Sequence, residues 1–324
     1  MLANHGPPIF PWTRRRAGNG HVCGFQGLFA AATTCGWLAW DNARLRNSLS
    51  PEYGKTPLRD HLWLETFRNG LQTQVVVSDA TSMILADEFT HLPSLFEYRN
   101  RDYPRRLIES EVKDPAAREL LGRIAPAFLT TLQDARIVSQ VSRVLAPLGI
   151  ATTVVYARDF RFQPAFPGNL ILVGHRKANP WVEAFEQKMN FRYAWEPGAQ
   201  SRARIVNTAP LSGELPSYGL TVGSQGYSVA ARVPRPVGNG TVLLLEGTDM
   251  ASVEAGCELL TTEQRLGEFY RRLGVKIGGP IPYFEVLLRT HLLGGGVHTS
   301  YDIIAFRILR GESFTQADSP RTGN

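Results

Sequence analysis

The sequence predicts an α/β protein built on a mostly parallel sheet with flanking helices. Short apolar runs are followed by a turn and a helical pattern, as where Gly174 closes Asn169–Val173 and a helix begins after Pro180. Elsewhere a helical stripe over residues 132–146 leads directly into the strand pattern of residues 151–157. Such alternation is typical of a parallel sheet, in one body or in two lobes. Ligands of these sheets bind beyond the carboxyl ends of the strands, so functional residues are expected there.

The distribution of charge argues against nucleic-acid binding. The chain has 324 residues and a formal net charge of +6. Residues 1–60 contain seven Lys or Arg and three Asp or Glu, so they hold four of those charges and the rest of the chain holds two. A nucleic-acid-binding surface needs a concentration of basic residues in the folded body. No nucleic-acid partner is therefore expected.

An uncharged apolar run near the N-terminus resembles a membrane span. Residues 22–40 follow the basic triplet Arg14–Arg16 and end in Trp37 and Trp40. A basic cytoplasmic flank and aromatic residues at the far interface are typical of a single transmembrane helix. We expect a cytoplasmic tail over residues 1–21, a single-pass anchor in the inner membrane, and the remainder of the chain outside the cytoplasm. A secretory signal peptide and an apolar helix packed on the body are the alternatives.

Motifs of metal and nucleotide sites are absent from the sequence. Cys23, Cys35 and Cys257 form no CxxC or Cys/His ligand spacing, so no metal site is predicted and Cys257 is expected to be a buried apolar residue. There is no GxxxxGK[ST] loop and no GxGxxG after a strand, and no cofactor is expected. GxSxG and HExxH are also absent, so the sequence favours a binding protein over an enzyme.

The chain divides into a connector, a folded body and a tail. Residues 41–72 are rich in turn formers and contain one short helical pattern through Leu62 and Phe67, which predicts a stalk or a small helical cap. Residues 73–310 contain the strand and helix patterns of an α/β ligand-binding-like domain. Residues 311–324 are polar and predict a disordered tail.

The body begins with a strand over residues 74–79 and a helix over residues 81–90. Ser78 and Asp79 fall at the junction, where a side-chain oxygen either caps the helix or faces a ligand. The next segment, residues 92–130, is predicted to be mostly helical. Within it Glu97–Arg106 mixes four arginines with Tyr98 and Tyr103, a composition that fits solvated surface or contact with an anionic or sugar-like ligand.

Helix 132–146 carries one continuous apolar stripe and is stopped by Pro147 and Gly149. It predicts the crossover that returns the chain to the same sheet. The next strand, Asn169–Val173, ends in a loop with three polar candidates. His175 is a candidate acid, base or hydrogen-bond donor, Arg176 a clamp for a carboxylate or phosphate, and Asn179 a tie to the following helix. The alternative is a loop whose polar groups satisfy its own backbone.

Three short strand patterns follow, over residues 191–195, 203–207 and 227–233. Separated by Gly, Pro and Ser, they predict antiparallel pairs, in a second small sheet or at the edge of the main one. A third strand-to-helix junction lies in residues 241–256. There Thr248 and Asp249 either cap the helix or direct a hydroxyl and backbone N–H groups toward an anion.

The last elements are a helix and a hairpin. Thr261 with Gln264 resembles a capping box and predicts a helix over residues 262–273. Two alternating runs, residues 283–290 and 302–309, predict an antiparallel hairpin.

Four stretches carry a resemblance to a known group of proteins: VVVSDA, DARIVSQVSRVL, NLILVGHRKANPWVEAF with MNF, and TVLLLEGTDMASVEAG. They resemble the extracytoplasmic part of uncharacterised bacterial proteins with one membrane span, some of which carry an N-terminal winged helix. The resemblance covers residues 41–310 and implies no active site. The residues before the run 22–40 are too few for a winged helix, so none is expected here. The order of elements is also similar to that of type II periplasmic-binding proteins, whose lobes close on a ligand.

These observations predict a membrane-anchored extracytoplasmic domain that senses or captures a small polar or anionic ligand. The predicted ligand-binding residues lie at the three strand exits: Ser78, Asp79, His175, Arg176, Asn179, Thr248 and Asp249. A membrane or signalling protein is a further candidate partner. Two alternatives stay open. One is a hydrolase or transferase acting on a sugar or nucleotide-like substrate, with Asp79 and His175 as acid and base, and the other is an interaction scaffold without a ligand.

Overall fold

The computed structural model describes residues 57–161, 168–196, 202–236, 239–276, 278–293 and 297–311. The predicted cytoplasmic tail, the candidate span 22–40, most of the connector and nearly all of the C-terminal tail lie outside these residues. Contacts divide the chain into Met1–Lys55 and Thr56–Asn324, and only the second unit is described below. Among the residues described, no helix has the length and apolar character required to cross a membrane.

The elements follow the predicted alternation of strands and helices. The helices are α1 (Leu58–Phe67), α2 (Ala80–Glu88), α3 (Leu95–Arg99), α4 (Tyr103–Glu111), α5 (Pro115–Ile124), α6 (Leu132–Leu145), α7 (Glu183–Glu186), α8 (Met250–Thr261) and α9 (Glu263–Leu273). The strands are β1 (Thr73–Val77), β2 (Thr152–Tyr156), β3 (Asn169–Val173), β4 (Phe191–Glu196), β5 (Arg202–Asn207), β6 (Ser217–Gly219), β7 (Gln225–Pro234), β8 (Thr241–Gly247), β9 (Tyr283–Leu293) and β10 (Val297–Leu309).

The main sheet has seven strands in the order β10-β9-β7-β8-β3-β1-β2. The four strands β8, β3, β1 and β2 are parallel, with Val75 in register with Val154 on one side and Ile171 on the other. Strands β7, β9 and β10 pair antiparallel, and β9 with β10 forms the predicted hairpin. The predicted α/β class, mostly parallel sheet and C-terminal hairpin are confirmed.

A second sheet of three antiparallel strands, in the order β4-β5-β6, covers part of the main sheet. Of the three strands predicted between residues 191 and 233, the first two belong to this small sheet and the third is β7 of the main sheet. Both alternatives raised by the sequence are therefore realised, by different strands.

The two faces of the main sheet bury separate apolar clusters. One cluster lies beneath α1, α6, α8 and α9, and the other lies beneath the small sheet and the segment containing Trp181 and Phe185. Helix α1 is part of the first cluster: Leu62, Trp63 and Phe67 are buried, and the Trp63 indole N–H donates to Leu260 O. The helix in the connector thus packs as core, because its apolar face is large enough to be buried against α8. Cys257, in α8, is buried as predicted.

Two local predictions are wrong. Helix α9 has Thr262 as its N-cap and no side-chain capping bond, while the Thr261 hydroxyl donates to Cys257 O inside α8. The predicted capping box fails because α8 continues through Thr261. The helix after Pro180 is also much shorter than its pattern, with a 3₁₀ turn followed by the four residues of α7.

Candidate functional site

The three predicted strand exits lie along one edge of the main sheet. Strands β8, β3 and β1 are neighbours and run in the same direction, so the residues that leave them emerge at the same edge. The exits of β1 and β3 are bonded directly, since the Asp79 N–H donates to Ala178 O over 2.7 Å. Strand β2 lies on the other side of β1 and adds a fourth exit, which the sequence analysis had not considered.

Asp79 is the centre of a buried polar network at this edge. As predicted, it caps α2, with Oδ1 accepting the Ser82 N–H at 3.1 Å. Its carboxylate also accepts the hydroxyls of Tyr98, at 2.9 Å, and Tyr156, at 2.7 Å. The Arg158 guanidinium completes the set, with Nε at 2.9 Å and Nη2 at 3.1 Å. The side chain of Asp79 is fully buried; Arg158 balances its charge, and the two phenols satisfy its oxygens with hydrogen bonds.

Arg158 lies two residues beyond the end of β2. It belongs to the Asp79 network and also lines a cavity. Burial would lower the pKa of Arg158, but the charge of Asp79 and its hydrogen bonds raise it above the ordinary value. Arg158 Nη1 donates to Ala125 O at 2.8 Å. A guanidinium has five N–H groups, and three are used by Asp79 and Ala125. Among the described residues, the remaining two, one on each terminal nitrogen, have no acceptor.

These two N–H groups belong to a side chain that lines a cavity of about 630 Å³. The Arg158 side chain is 14 % exposed, so most of its surface is covered by protein and only a small part is open to solvent or to a ligand. The cavity lies between Arg158, just beyond the end of β2, and the mostly helical segment 98–128. Aromatic, apolar and glycine residues form more than half of the wall: Tyr98, Tyr103, Pro104, Ile108, Gly122, Ala125, Pro126 and Phe128. A volume of this order accommodates a small organic ligand.

The rim of the cavity carries charged residues that already have partners. Arg101 pairs with Asp159, and Arg105 pairs with Asp102 and Glu109. The Arg118 guanidinium donates to the carbonyl oxygen of Val112. Arg158 is distinguished from the other arginines of the cavity because its side chain is only 14 % exposed and is fixed by three hydrogen bonds.

Phe128 is the most exposed ring of the cavity. It is 62 % exposed, although its ring packs against Tyr156 with a centroid separation of 5.1 Å. The guanidinium carbon of Arg158 lies 5.8 Å from the Phe128 ring centroid. The Phe128 ring and the Arg158 guanidinium are therefore close neighbours on the cavity wall.

The predicted residues of the β3 exit do not line this cavity. The His175 ring is buried and stacks on Tyr193 with a centroid separation of 4.8 Å, and its Nδ1 accepts the Ala178 N–H. Burial, with the nearby Lys177 cation, lowers the pKa of His175 to about 3. Asn179 Nδ2 donates to Val76 O and Val173 O, which ties the ends of β1 and β3 together. The Arg176 guanidinium pairs with Glu183 at 3.2 Å.

The other predicted residues are also bonded within the protein. The Ser78 hydroxyl donates to Asp134 Oδ2 at 2.5 Å. Thr248 Oγ1 accepts the Tyr227 N–H at 2.9 Å, and Asp249 Oδ1 caps α8 by accepting the Ser252 N–H at 3.0 Å. The three exits do share one edge of the sheet, as predicted. Of the predicted residues, Asp79 is the one whose side chain is bonded to residues that line the cavity, namely Tyr98 and Arg158.

Sequence reasoning missed Tyr98, Tyr103, Phe128, Tyr156 and Arg158. Tyr98 and Tyr103 lie in a segment interpreted as solvated surface or as a contact for an anionic or sugar-like ligand, and neither interpretation foresaw that both rings are buried. For Arg158 a signal was present, since it directly follows the predicted strand 151–157 and so occupies a strand exit of the same kind as Asp79.

Comparisons with known proteins identify no relatives for this chain. No protein-family model matches it, and no curated protein or solved structure does. Within the described ranges, no group of three or more His, Cys, Asp or Glu side chains is placed to hold a metal ion.

Proposed function

We propose that the cavity beside Arg158 binds a small organic anion and that the protein serves as a sensing or capture domain for it. The observation that carries the proposal is an arginine that lines a cavity of about 630 Å³, is fixed by Asp79 and Ala125, and has one unused N–H group on each terminal nitrogen. N–H groups on the two terminal nitrogens of an arginine match the two oxygens of a carboxylate or phosphate.

The network around Asp79 supports this proposal because it fixes Arg158 before any ligand arrives. Three donors besides Arg158 hold the Asp79 carboxylate: the Ser82 N–H and the hydroxyls of Tyr98 and Tyr156. Two bonds then hold the guanidinium to Asp79 and a third holds it to Ala125. A side chain fixed in this way loses little conformational entropy on binding, which otherwise costs roughly 0.5–1.5 kcal/mol.

The enzyme alternative gains no support from its two named residues. His175 is buried against Tyr193 and its pKa is lowered to about 3, so the imidazole is neutral over the physiological range. Asp79 is engaged by four donor groups and is capping a helix. Neither side chain is presented to the cavity as an acid or base.

The membrane setting remains part of the proposal. If residues 22–40 anchor the chain as the sequence predicts, the cavity belongs to a tethered domain outside the cytoplasm. A signalling or membrane partner would then recognise the ligand-bound form of the domain.

Gly122 provides the variant that tests the cavity. A Cβ placed on Gly122 meets nothing within 4 Å, and the residue lines the cavity from helix α5. Gly122→Leu is expected to occupy the cavity while stabilising the helix by roughly 0.5–1 kcal/mol, because leucine is the better helix former. The matched control, Gly122→Ala, gains the same helix propensity and leaves most of the cavity open.

The experiment measures the thermal stabilisation of the protein by benzoate, octanoate and phenyl phosphate at millimolar concentration. We expect at least one anion to stabilise the wild type and Gly122→Ala, and to have no effect on Gly122→Leu. Equal stabilisation of Gly122→Leu would place the binding elsewhere and refute the proposal. No stabilisation of the wild type by any of the three would favour the scaffold alternative.

A further inference from the structure

We infer that the ligand of this cavity is an aromatic monocarboxylate, an acid with one carboxylate on a flat ring system. The inference rests on the proposed function and adds the chemical class of the ligand. Two independent features carry it: the number of cationic donors that are available, and the shape and chemistry of the walls.

The donors available in the cavity suit one anionic group. Arg158 offers two N–H groups on adjacent terminal nitrogens, which is the number that one carboxylate accepts. Arg101 and Arg105 are already paired with carboxylates, and Arg118 is directed to Val112 O. Arg118 has no carboxylate partner among the described residues, but its side chain is exposed to solvent. A second or third negative charge, as on a phosphate ester or a nucleotide, therefore meets only arginines that are paired with carboxylates or exposed to solvent, where the interaction is screened.

The walls suit a flat ring. Tyr98, Tyr103 and Phe128 contribute ring surfaces, Pro104 and Pro126 add flat apolar surfaces, and Gly122 leaves open space where other residues would have a side chain. Aromatic pairs gain about 0.5–1.5 kcal/mol beyond the burial of their area. A ring also loses less conformational freedom on binding than a saturated chain of the same size.

The position of Phe128 links the two features. The guanidinium of Arg158 lies 5.8 Å from the centroid of the Phe128 ring, and that ring is 62 % exposed. A ring attached to the carboxylate on Arg158 would therefore be within reach of Phe128. The exposed face of Phe128, which has no evident role in the core, would become buried in the complex.

Calorimetric titration with naphthoate tests the inference against three matched compounds. Naphthylmethanol has the same ring without charge, naphthyl phosphate has the same ring with a larger charge, and decanoate has the same charge without a ring. We expect naphthoate to bind most tightly, and each comparator to bind at least about tenfold more weakly.

Two variants connect the preference to the residues. Phe128→Leu, at an exposed position that tolerates substitution, is expected to weaken naphthoate binding by about fivefold and to leave decanoate unchanged. Arg158→Lys keeps the positive charge but loses the paired donors, and is expected to reduce the preference of naphthoate over naphthylmethanol by about tenfold.

The outcomes separate this inference from the proposed function. Tighter binding of decanoate or naphthyl phosphate, abolished by Gly122→Leu, would overturn the aromatic monocarboxylate class while the anion-binding cavity stands. The absence of binding by any of the charged compounds would overturn both.

Discussion

Replacing Glu246 with methionine is expected to stabilise the protein. Glu246 lies in β8 and is completely buried, and neither of its carboxyl oxygens has a hydrogen-bond partner among the described residues. A buried polar group without a partner costs about 1–3 kcal/mol, and methionine has a similar length with no group to satisfy. We expect the free energy of unfolding to rise by about 2 kcal/mol, which corresponds to an increase in Tm of about 5 °C.

Glu285 provides the matched control. It is equally buried, on β9, but its carboxylate accepts the N–H groups of Asn190 at 2.8 Å and Phe191 at 2.9 Å. Glu285→Met would leave both N–H groups without an acceptor, at a cost of about 1–3 kcal/mol for each. Two substitutions of the same kind in the same sheet are therefore expected to have opposite effects on stability.

The effect of Glu246→Met should also depend on pH. Burial, with Glu186 and Glu285 nearby, raises the pKa of Glu246 well above 4.5. Burial likewise raises the pKa of Glu285 to about 7, against the lowering effect of its two N–H partners. A carboxyl group whose pKa is raised on folding stabilises the protein below its unfolded pKa, and this contribution is lost as the pH rises through the folded pKa. The wild type should therefore lose stability between about pH 5 and pH 8.

Urea unfolding at these two pH values measures both effects. Glu246→Met should unfold at a higher urea concentration than the wild type at each pH. The difference between the two midpoints should be larger at the higher pH, because the wild type must then bury a charged Glu246 and the variant has no carboxyl there. A midpoint below that of the wild type would refute the reasoning, since it would show that the Glu246 carboxyl is well satisfied in the folded protein.

Three further predictions concern stability. Asp79→Asn should lower the free energy of unfolding by about 3 kcal/mol, because it leaves the Arg158 charge without its buried partner. A decrease of less than about 1 kcal/mol in the free energy measured by urea unfolding would contradict this. Gly174→Ala should lower the free energy of unfolding by at least about 1–2 kcal/mol, because φ is +103° and the new Cβ would lie 2.9 Å from Ser78 Cβ. A calorimetric Tm equal to that of the wild type would be inconsistent with this backbone conformation. The hydrogen bond from Arg307 lowers the pKa of Glu214 to about 2. The ionised Glu214 therefore stabilises the protein above the ordinary pKa of 4.5, and this contribution is lost as the pH falls toward 2. Glu214→Gln should remove that part of the acid dependence of the free energy of unfolding, and an unchanged acid dependence would argue against the ion pair.

The sheet was predictable because its strands are apolar runs that end in turns. The patterns at residues 74–79 and 169–173 match β1 and β3 to within two residues, and β8 lies in the predicted junction 241–256. The common direction of these strands follows from the helices between them. The three exits therefore lie at one edge, as the sequence indicates.

The chemistry at that edge was less predictable, since residue type alone does not show burial. His175 was chosen because imidazole titrates near neutral pH, but the ring is covered by Tyr193, which belongs to the small sheet. Tyr98 and Tyr103 lie among arginines in the sequence, and that composition fitted either solvated surface or contact with an anionic or sugar-like ligand. The fold turns their rings inward, toward Asp79 and Ser82, and leaves the arginines outside.

The most direct test of the anion-binding cavity is the crystal structure of the protein with benzoate. The account places the benzoate carboxylate within about 3.2 Å of both Nη atoms of Arg158, with Asp79 still bonded to the other side of the guanidinium. Benzoate bound at another arginine, or a cavity occupied by solvent at saturating benzoate while the ligand stabilises the protein, would contradict it.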